Sequence, residues 1–382
     1  MVERSSRARR FVTYVNAREL RRYSRHLLIP EVGLPGQERL RASRALVVGA
    51  GGLGSPALQY LAAAGVGRIG VVDDDEVDET NLQRQTIFNQ ADVGRKKASV
   101  AAERIQALNP LVNVDALPIR FDATNARELV RLYDIILDGT DRFESRYLIN
   151  DACFLEKRPD VYGSIFRFDG QVSVFRAPEG PCYRCLYPEP PPMDSRPTCA
   201  EGGVLGALAG IVGAWQASEA LKLLLGIGEP LAGRLLLIDA LHARVREVRF
   251  AHDPQCVLCG AGATIGELAM HTYREPAVDS PVAEIEAGEL DTALRDARLL
   301  DVREPHEAVL GTIEGAIHMP ASQLEARMHE LDSASRYVVA CRVGAKSLWA
   351  VERLRDAGFT RLQHLRGGLL AYAARHADFE FF

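Results

Sequence analysis

The chain has 382 residues, of which 47% are hydrophobic and 25% charged. This length is too great for one average domain and suits two, one of roughly 250 residues and one of roughly 100. A net charge of −5 argues against a general nucleic-acid binder, and no apolar run approaches the roughly 20 residues of a membrane-spanning helix. The first twenty residues are polar and rich in arginine, without the apolar core of a secretory signal, so a flexible lead-in and a cytoplasmic location are expected.

The first clear pattern along the chain is a strand, a glycine-rich turn and a helix. The apolar run Ala45–Val48 leads into the turn Gly49–Gly54, and a second apolar run, Ile69–Val72, ends at Asp73. This order predicts a βαβ unit, and further strand patterns at Val112–Val114 and at 135–138 continue the alternation. We therefore expect an α/β fold with a doubly wound, mainly parallel Rossmann-like sheet.

Breaks in the pattern set the predicted domain boundaries. Residues 188–197 are rich in proline, which favours an exposed crossover, and a helix of good helix formers is predicted from Ala214 to Leu225. Residues 260–280 show no periodicity, and a new α/β pattern begins near Pro281. The predicted division is a lead-in over 1–20, a first domain over 21–260, a linker over 261–280 and a smaller α/β domain over 281–382.

The glycine turn predicts a nucleotide site. Backbone N–H groups at such a turn bind an anion, and a carboxylate about twenty residues later, here Asp73, binds ribose hydroxyls. Taken alone, these features are typical of a NAD-dependent dehydrogenase. However, Asn81–Gln85 and Gly94–Lys97 add amides and cations, which suit a triphosphate with a departing pyrophosphate. The alternative is that Arg84 and Lys97 are solvated surface charges.

Four of the seven cysteines form two Cys-x-x-Cys pairs, Cys182/Cys185 and Cys256/Cys259. This spacing is typical of a tetrahedral Cys₄ zinc site, and a reducing cytosol favours metal over disulfides. Four thiolates leave no open coordination position, so the zinc is predicted to be structural. Two unrelated pairs of buried or redox cysteines are the alternative.

The first domain resembles the ThiF/MoeB adenylyltransferases, which are bacterial relatives of ubiquitin-activating enzymes. The resemblance rests on Arg22–His26, Gly49–Gly54, Asn81–Gln85 and Asp138–Asp141, and it covers roughly residues 15 to 260. It implies a homodimer, in which an arginine at the position of Arg25 reaches ATP from the partner subunit, and Mg²⁺ near Asp141. The ATP contacts that it implies are Gly52, Asp73, Asn81, Leu82, Gln83, Arg84, Lys97, Asp141 and Arg142, with Arg84 and Asp141 acting in catalysis.

Cys341 opens a loop, Cys341–Ser347, between a predicted strand at Tyr337–Ala340 and a helix. Backbone N–H groups, the helix dipole and two loop cations, Arg342 and Lys346, favour a thiolate or persulfide anion. Residues 281–382 resemble a rhodanese domain, on the motifs at 300–304, 315–318 and 365–368. Lys346 departs from the arginine common there, which puts small thiosulfate-like donors in doubt. A phosphatase would need a loop one residue longer that ends in arginine.

Two further single cysteines remain. Cys199 follows the proline-rich segment, and the resemblance to eukaryotic fused enzymes implies a thioester or a resolving thiol there. A glycine-flanked cysteine can also serve simple packing. Cys153 lies in an apolar helical pattern and is predicted to pack in the core.

Together these features predict an enzyme that joins two reactions. The first domain adenylylates the C-terminal Gly-Gly carboxylate of a small ubiquitin-like sulfur carrier with ATP and Mg²⁺. A persulfide on Cys341, loaded by a donor such as a cysteine desulfurase, then gives a thiocarboxylate. The pathway stays open among molybdopterin (molybdenum cofactor), thiamine, cysteine and thiolated tRNA. A nicotinamide-dependent oxidoreductase and a noncatalytic zinc-stabilised scaffold are the alternative functions.

Overall fold

The computed structural model describes residues 17–175, 180–190, 202–268, 282–309 and 311–376. The chain divides into two compact units, one formed by residues up to 190 with 203–268 and one that includes residues 282–376. Each unit has its own sheet flanked by helices, which confirms the predicted class of a larger and a smaller α/β fold. Among the described helices, none is long and apolar enough to cross a membrane.

The first unit alternates strands and helices along the chain. Its helices are α1 (Ala17–Arg22), α2 (Ser24–Leu27), α3 (Gly33–Ala42), α4 (Gly54–Ala64), α5 (Lys97–Leu108), α6 (Ala126–Arg131), α7 (Phe143–Leu155), α8 (Tyr183–Leu186) and α9 (Gly206–Leu225). Its strands are β1 (Arg44–Val48), β2 (Arg68–Val72), β3 (Asn113–Leu117), β4 (Ile135–Asp138), β5 (Asp160–Phe166), β6 (Asp169–Phe175), β7 (Arg234–Asp239) and β8 (Arg244–Arg249).

The eight strands form one sheet in the order β3-β2-β1-β4-β5-β6-β7-β8. The first five in that order are parallel, and the last three continue the sheet antiparallel. The order runs outward from β1 to β3 and then resumes at β4 on the other side of β1. In sheets of this kind, the crevice beyond the carboxyl ends of the two strands at this switch point is where ligands bind.

Strand β1 is buried on both faces, as expected for a parallel strand covered by helices. Ala45 and Val47 belong to a core cluster with residues of α4, α5 and α9. Leu46 and Val48 belong to the opposite cluster, with residues of α6 and α7. Alternate residues of the continuous apolar run therefore pack against helices on opposite faces of the sheet. The turn begins where this buried run ends.

The sheet ends at β8, where the environment changes. All six residues of β8 are exposed, and they include Arg244, Arg246 and Arg249. Each residue pairs with β7 in an antiparallel register, for example Val245 with Ile238. The last strand of the described sheet thus carries charged side chains rather than a second layer of helices.

The second unit also alternates strands and helices. Its elements are β9 (Ala283–Ile285), α10 (Leu290–Ala293), β10 (Arg298–Asp301), α11 (Pro305–Ala308), β11 (Ile317–His318), α12 (Leu324–Arg327), β12 (Tyr337–Ala340), α13 (Ala345–Asp356), β13 (Leu362–Leu365) and α14 (Gly368–Ala373). The five strands form a parallel sheet in the order β11-β10-β12-β13-β9. Val339 on the central strand β12 packs into one core cluster, and its neighbours Val338 and Ala340 pack into the other.

Candidate functional site

The glycine-rich turn Gly49–Gly54 joins β1 to α4 at the switch point of the sheet. Gly49 has a φ of +93°, and a Cβ there would lie 2.8 Å from the carbonyl oxygen of Gly139. The position therefore requires glycine on both conformational and steric grounds. The amide of Ala50 donates a 2.8 Å hydrogen bond to Asp73 Oδ2, which ties the turn to the end of β2.

Asp73 and Lys97, which are predicted to contact a nucleotide, both lie near this turn. Burial raises the pKa of Asp73, and the nearby positive charge of Lys97 opposes the shift. Lys97 Nζ lies 3.0 Å from Asp75 Oδ2, and only 7% of the lysine side chain is exposed. Lys97 is thus a nearly buried cation rather than a solvated surface charge. We call Gly49–Gly54, Asp73, Asp75 and Lys97 the glycine-turn pocket.

The segment Asn81–Gln85 lies against the same turn. The side chain of Arg84 passes Gly52, because a Cβ on Gly52 would lie 3.5 Å from Arg84 Cγ. The Arg84 guanidinium donates a 3.0 Å hydrogen bond to the carbonyl oxygen of Thr80. Leu82 is half-buried against the core cluster on this face of the sheet, and Gln83 is exposed.

Helix α9 contributes a wall that the sequence did not predict. It begins at Gly206, whereas the predicted helix begins at Ala214. A Cβ on Gly52 would lie 3.2 Å from the Cβ of Ala209, and one on Gly206 would overlap the carbonyl oxygen of Gln83. The first turns of α9 therefore pack on both loops of the site. The small residues at 206, 207, 209, 210 and 213 are the sequence signal for this close packing.

The loop after β4 completes the switch point. Asp138 is fully buried, and its Oδ1 accepts hydrogen bonds from the Thr140 amide at 2.9 Å and the Thr140 hydroxyl at 2.6 Å. Its Oδ2 makes no hydrogen bond to a described residue. Burial raises the pKa of Asp138. Gln216 of α9 donates to the Asp138 carbonyl oxygen at 2.6 Å and so links the helix to this loop.

Three predicted site residues lie outside these contacts. Asp141 and Arg142 are exposed between β4 and α7, and Arg25 is exposed on α2. The described contacts do not join any of the three to the glycine-turn pocket. Their predicted roles need ligands or a second subunit, and those roles stay predictions.

The four cysteines of the two Cys-x-x-Cys pairs converge. Their Sγ atoms lie 3.3 to 3.8 Å apart in the four shortest pairs. Zn–S bonds of about 2.3 Å at tetrahedral angles separate sulfurs by about 3.8 Å, so the four thiols fit one zinc ion. Burial, followed by the hydrogen bond with Cys185, raises the pKa of Cys259 to about 12. The candidate ligands are Cys182, Cys185, Cys256 and Cys259.

Cys341 follows β12 directly and is 1% exposed. The amide of Gly344 donates a 3.1 Å hydrogen bond to Cys341 Sγ. Gly344 has a φ of +108°, which allows the loop to turn its amide toward the sulfur before α13 begins at Ala345. The sulfur therefore lies at the N-terminal end of a helix of 12 residues, as predicted, where negative charge is favoured.

Two buried side chains, those of Ser347 and His364, stabilise this loop. The Ser347 hydroxyl donates a 2.9 Å hydrogen bond to the carbonyl oxygen of Gly344 and also lies 3.1 Å from His364 Nδ1. Burial lowers the pKa of His364. Gly368 on the neighbouring segment must be glycine, because a Cβ there would lie 2.5 Å from the carbonyl oxygen of Cys341. No local sequence pattern marks His364, because its contact with Ser347 forms only in the fold.

The remaining two cysteines differ in what the structure describes. Cys153 lies in α7, is 2% exposed and belongs to the core, as predicted. Cys199 lies outside the described residues, so its predicted role as a thioester or resolving thiol stays a prediction.

Comparison with known proteins identifies both units. A model of the ThiF family matches residues 23–258, and a model of the Rhodanese-like domain matches residues 286–375. "Probable adenylyltransferase/sulfurtransferase MoeZ" of Mycobacterium tuberculosis is 46% identical over 370 residues, which cover 93% of each chain. Fold and relatives thus define an enzyme of the adenylyltransferase and sulfurtransferase class. More particularly, the chain belongs to the ThiF family and carries a C-terminal Rhodanese-like domain.

Two other comparisons concern the first unit. "Sulfur carrier protein adenylyltransferase" of Thermus thermophilus is 54% identical over 255 residues, which cover 65% of this chain and 94% of the relative. The solved structure of E. coli MccB with ATP superposes with a TM-score of 0.56 at 22% identity, covering 64% of this chain and 75% of that one. At this identity the structural likeness shows a shared fold alone.

Proposed function

We propose that the first unit uses ATP and Mg²⁺ to adenylylate the C-terminal Gly-Gly carboxylate of a small ubiquitin-like sulfur carrier protein. The second unit then delivers sulfur from a persulfide on Cys341 to give the carrier thiocarboxylate. The observation that carries the proposal is the presence in one chain of the glycine-turn pocket and a Cys341 loop whose amide contacts the sulfur. The name of the Thermus thermophilus relative supports a carrier protein as the substrate.

Adenylylation requires positioning and charge neutralisation. The backbone at Gly52 and the carboxylate of Asp73 hold the nucleotide, and Arg84 and Lys97 stabilise charge on the phosphates. The carrier carboxylate attacks the α-phosphorus, and pyrophosphate leaves with the electron pair of the broken bond. Support comes from Lys97, whose nearly buried ammonium lies 3.0 Å from Asp75 beside the turn.

The exposed predicted residues take roles that a ligand or partner completes. Asp141 holds Mg²⁺ near the reacting phosphate, and Arg142, Asn81, Leu82 and Gln83 line the nucleotide. Arg25 reaches the ATP of the other subunit in a homodimer. The exposure of Arg25, Asp141 and Arg142 is compatible with these roles.

Sulfur transfer uses the acyl adenylate. The terminal sulfur of the Cys341 persulfide attacks the acyl carbon, and AMP leaves. The resulting acyl disulfide is cleaved by the Cys199 thiolate, which bonds to Cys341 Sγ while the carrier thiocarboxylate departs with the electron pair. Support for anionic sulfur at Cys341 comes from the Gly344 amide at 3.1 Å.

Three further features belong to the proposal. A structural zinc held by the four cysteines joins two segments of the first unit, and a cysteine desulfurase supplies the sulfur. The enzyme works in the cytosol. The predicted domain boundaries, 21–260 and 281–382, enclose the matched ranges 23–258 and 286–375.

The test combines two readouts with candidate carriers that end in Gly-Gly. ATP–pyrophosphate exchange should depend on the carrier, and the carrier mass should rise when one oxygen is replaced by sulfur in the presence of a sulfur donor. Lys97→Ala should abolish exchange, while Cys341→Ala should keep exchange and lose the mass gain. Exchange without any carrier dependence, or sulfur gain in Cys341→Ala, would contradict the proposal.

A further inference from the structure

The cation at the sixth position of the Cys341 loop has a buried carboxylate partner. Lys346 Nζ lies 2.7 Å from Glu307 Oε2, and the exposed fractions of the two side chains are 31% and 5%. Glu307 lies in the short helix α11, 39 residues earlier in the chain. An ion pair with one buried member is screened less by water than a surface pair.

Glu307 is held in place without the help of Lys346. The backbone amide of Glu304 donates a 2.8 Å hydrogen bond to the same oxygen, Glu307 Oε2. The guanidinium of Arg303, itself fully buried against Asp301, donates to the Glu307 carbonyl oxygen at 3.3 Å. The carboxylate is therefore a fixed group, and the flexible lysine side chain extends to meet it.

The second carboxylate oxygen of Glu307 has a different environment. Glu307 Oε1 is buried and makes no hydrogen bond to any described residue. A buried carboxylate with one oxygen that has no hydrogen bond to the described residues thus lies within ion-pair distance of the lysine of the loop. The ammonium group of Lys346 is therefore already paired with the Glu307 carboxylate.

We propose that Glu307 is a specificity-determining residue that keeps Lys346 from binding small anionic sulfur donors at Cys341. The inference rests on the proposed role of Cys341 as a persulfide carrier and goes beyond it, because it names the excluded class of donor. The physical reason is that a dianion near a thiolate needs unpaired positive charge to offset the repulsion. A donor with an uncharged or protein-bound persulfide does not carry this requirement.

Thiosulfate is a suitable probe of this class. The Cys341 thiolate attacks the outer sulfur of thiosulfate, the S–S bond of the donor breaks, and sulfite leaves with the electron pair. Cyanide then takes the terminal sulfur as thiocyanate and returns the thiolate. The turnover therefore measures access of a dianion to Cys341 without the carrier reaction.

The experiment uses the full chain with Glu307→Gln, which keeps the size of the side chain and removes its charge. The KM for thiosulfate should fall on the order of tenfold, the effect expected of one released charge contact near the surface. The gain should shrink with added salt. Glu330→Gln, which removes the carboxylate of an exposed ion pair with Arg327 in the same unit, is the matched control and should leave the KM unchanged.

A double variant shows whether the gain acts through the lysine. Glu307→Gln combined with Lys346→Met should have no gain in thiosulfate turnover. An unchanged KM in Glu307→Gln, or a gain that persists without Lys346, would overturn the proposal. A separate experiment distinguishes the proposed persulfide function from the proposed role of Glu307. Wild-type protein is incubated with a cysteine desulfurase, and persulfide formation on Cys341 is measured by mass spectrometry. Failure to form the persulfide would contradict the proposed persulfide function but not the pairing of Glu307 with Lys346.

A second measurement does not depend on sulfur transfer. The rates at which iodoacetate and iodoacetamide alkylate Cys341 are compared by peptide mass spectrometry, and their ratio cancels changes in thiolate content. Glu307→Gln should raise the ratio in favour of the anionic reagent, and Glu330→Gln should not. An equal ratio in wild type and Glu307→Gln would also count against the proposal.

Discussion

Single buried polar groups act differently in the two units. In the first unit, Asp138 at the end of β4 and Asp160 at the start of β5 each have a buried oxygen without a hydrogen bond to a described residue. At the Cys341 loop, the Ser347 hydroxyl contacts both the Gly344 carbonyl oxygen and His364. An unpaired buried polar atom costs stability, whereas a paired one fixes geometry. The first unit therefore carries a local cost beside its candidate nucleotide site.

Replacing Asp160 with Asn should stabilise the first unit. Burial, and then the charge of Asp138, raises the pKa of Asp160 well above its ordinary value of 3.8. Such a carboxyl stabilises the fold below its unfolded-state pKa, and the contribution is lost as the pH rises through the folded-state pKa. Asp160→Asn should raise the free energy of unfolding by about 1–3 kcal/mol at neutral pH.

Urea denaturation from about pH 4 to about pH 8 measures this effect as a pH profile. The decline in stability with rising pH should be shallower in Asp160→Asn than in the wild type. Asp169→Asn, which changes an exposed carboxylate at the start of β6, is the control. Equal profiles for all three proteins would refute the assignment of the cost to Asp160.

Removing the Ser347 hydroxyl should loosen the loop that holds Cys341. Ser347→Ala leaves the Gly344 carbonyl oxygen and His364 without this partner, so the second unit should lose about 1–2 kcal/mol of unfolding free energy. The rate of persulfide formation at Cys341 should fall as well, because the Gly344 amide is no longer fixed. Ser335→Ala removes an exposed hydroxyl bonded to Asp332 and should change neither quantity.

At the scale of elements, helix α9 determines the shape of the glycine turn. A Cβ on Gly213 would overlap the carbonyl oxygen of Leu53, and one on Gly210 would meet no atom within 4 Å. Both glycines lie inside the same helix, which begins at Gly206 and ends at Leu225. Substitutions at the two positions therefore distinguish the effect of close packing, present only at Gly213, from the low helix propensity that both glycines share.

The pair gives opposite expected outcomes. Gly213→Ala should destabilise the first unit by about 1–3 kcal/mol through overpacking, and it should weaken ATP binding because Leu53 belongs to the turn. Gly210→Ala should stabilise the unit by about 0.5–1 kcal/mol, since alanine favours helix more than glycine does. Thermal unfolding and calorimetric titration with ATP measure both effects. Equal behaviour of the two variants would show that the packing of α9 on the turn is unimportant.

The elements that the sequence predicted well are those with local signals. Apolar runs before Gly49 and before Cys341 are continuous, and the two Cys-x-x-Cys pairs have a spacing that needs no tertiary information. The start of α9 was missed because glycine at 206, 210 and 213 lowers helix propensity, and only the packing in the folded unit explains Gly206 and Gly213. The pairing of Lys346 with Glu307 was missed because neither residue marks its partner in the sequence.

The roles of exposed residues are predicted from resemblance rather than from packing. Arg25, Asp141 and Arg142 are exposed, and the contacts of the described residues do not join them to the glycine-turn pocket, so packing does not fix their roles. By contrast, Lys97 has a buried ammonium with one carboxylate at 3.0 Å. Burial and an ion pair therefore fix the position of Lys97, whereas the positions of Arg25 and Arg142 in the site depend on a ligand or a partner.

At the scale of the whole molecule, the four cysteines join two distant parts of the first unit. Cys182→Ser should remove the zinc and lower the unfolding free energy of the first unit by more than about 2 kcal/mol, because binding of a structural metal contributes to folding. A colorimetric zinc assay and urea denaturation measure the two effects. Cys341→Ser, in the other unit, should keep one zinc per chain. Full zinc content in Cys182→Ser would contradict the predicted site.

The exposed last strand of the large sheet bears on solubility. Strand β8 ends the described sheet with unpaired backbone groups along one side, which is where sheets from separate molecules join in aggregates. Three exposed residues of this strand, Arg244, Arg246 and Arg249, carry positive charge. Two copies that approach edge to edge would bring like charges together, so this strand resists fibrous self-association even though its valines are exposed. Neutralising these arginines would remove that protection at a strand that the structure places far along the sheet order from β1 and the glycine turn.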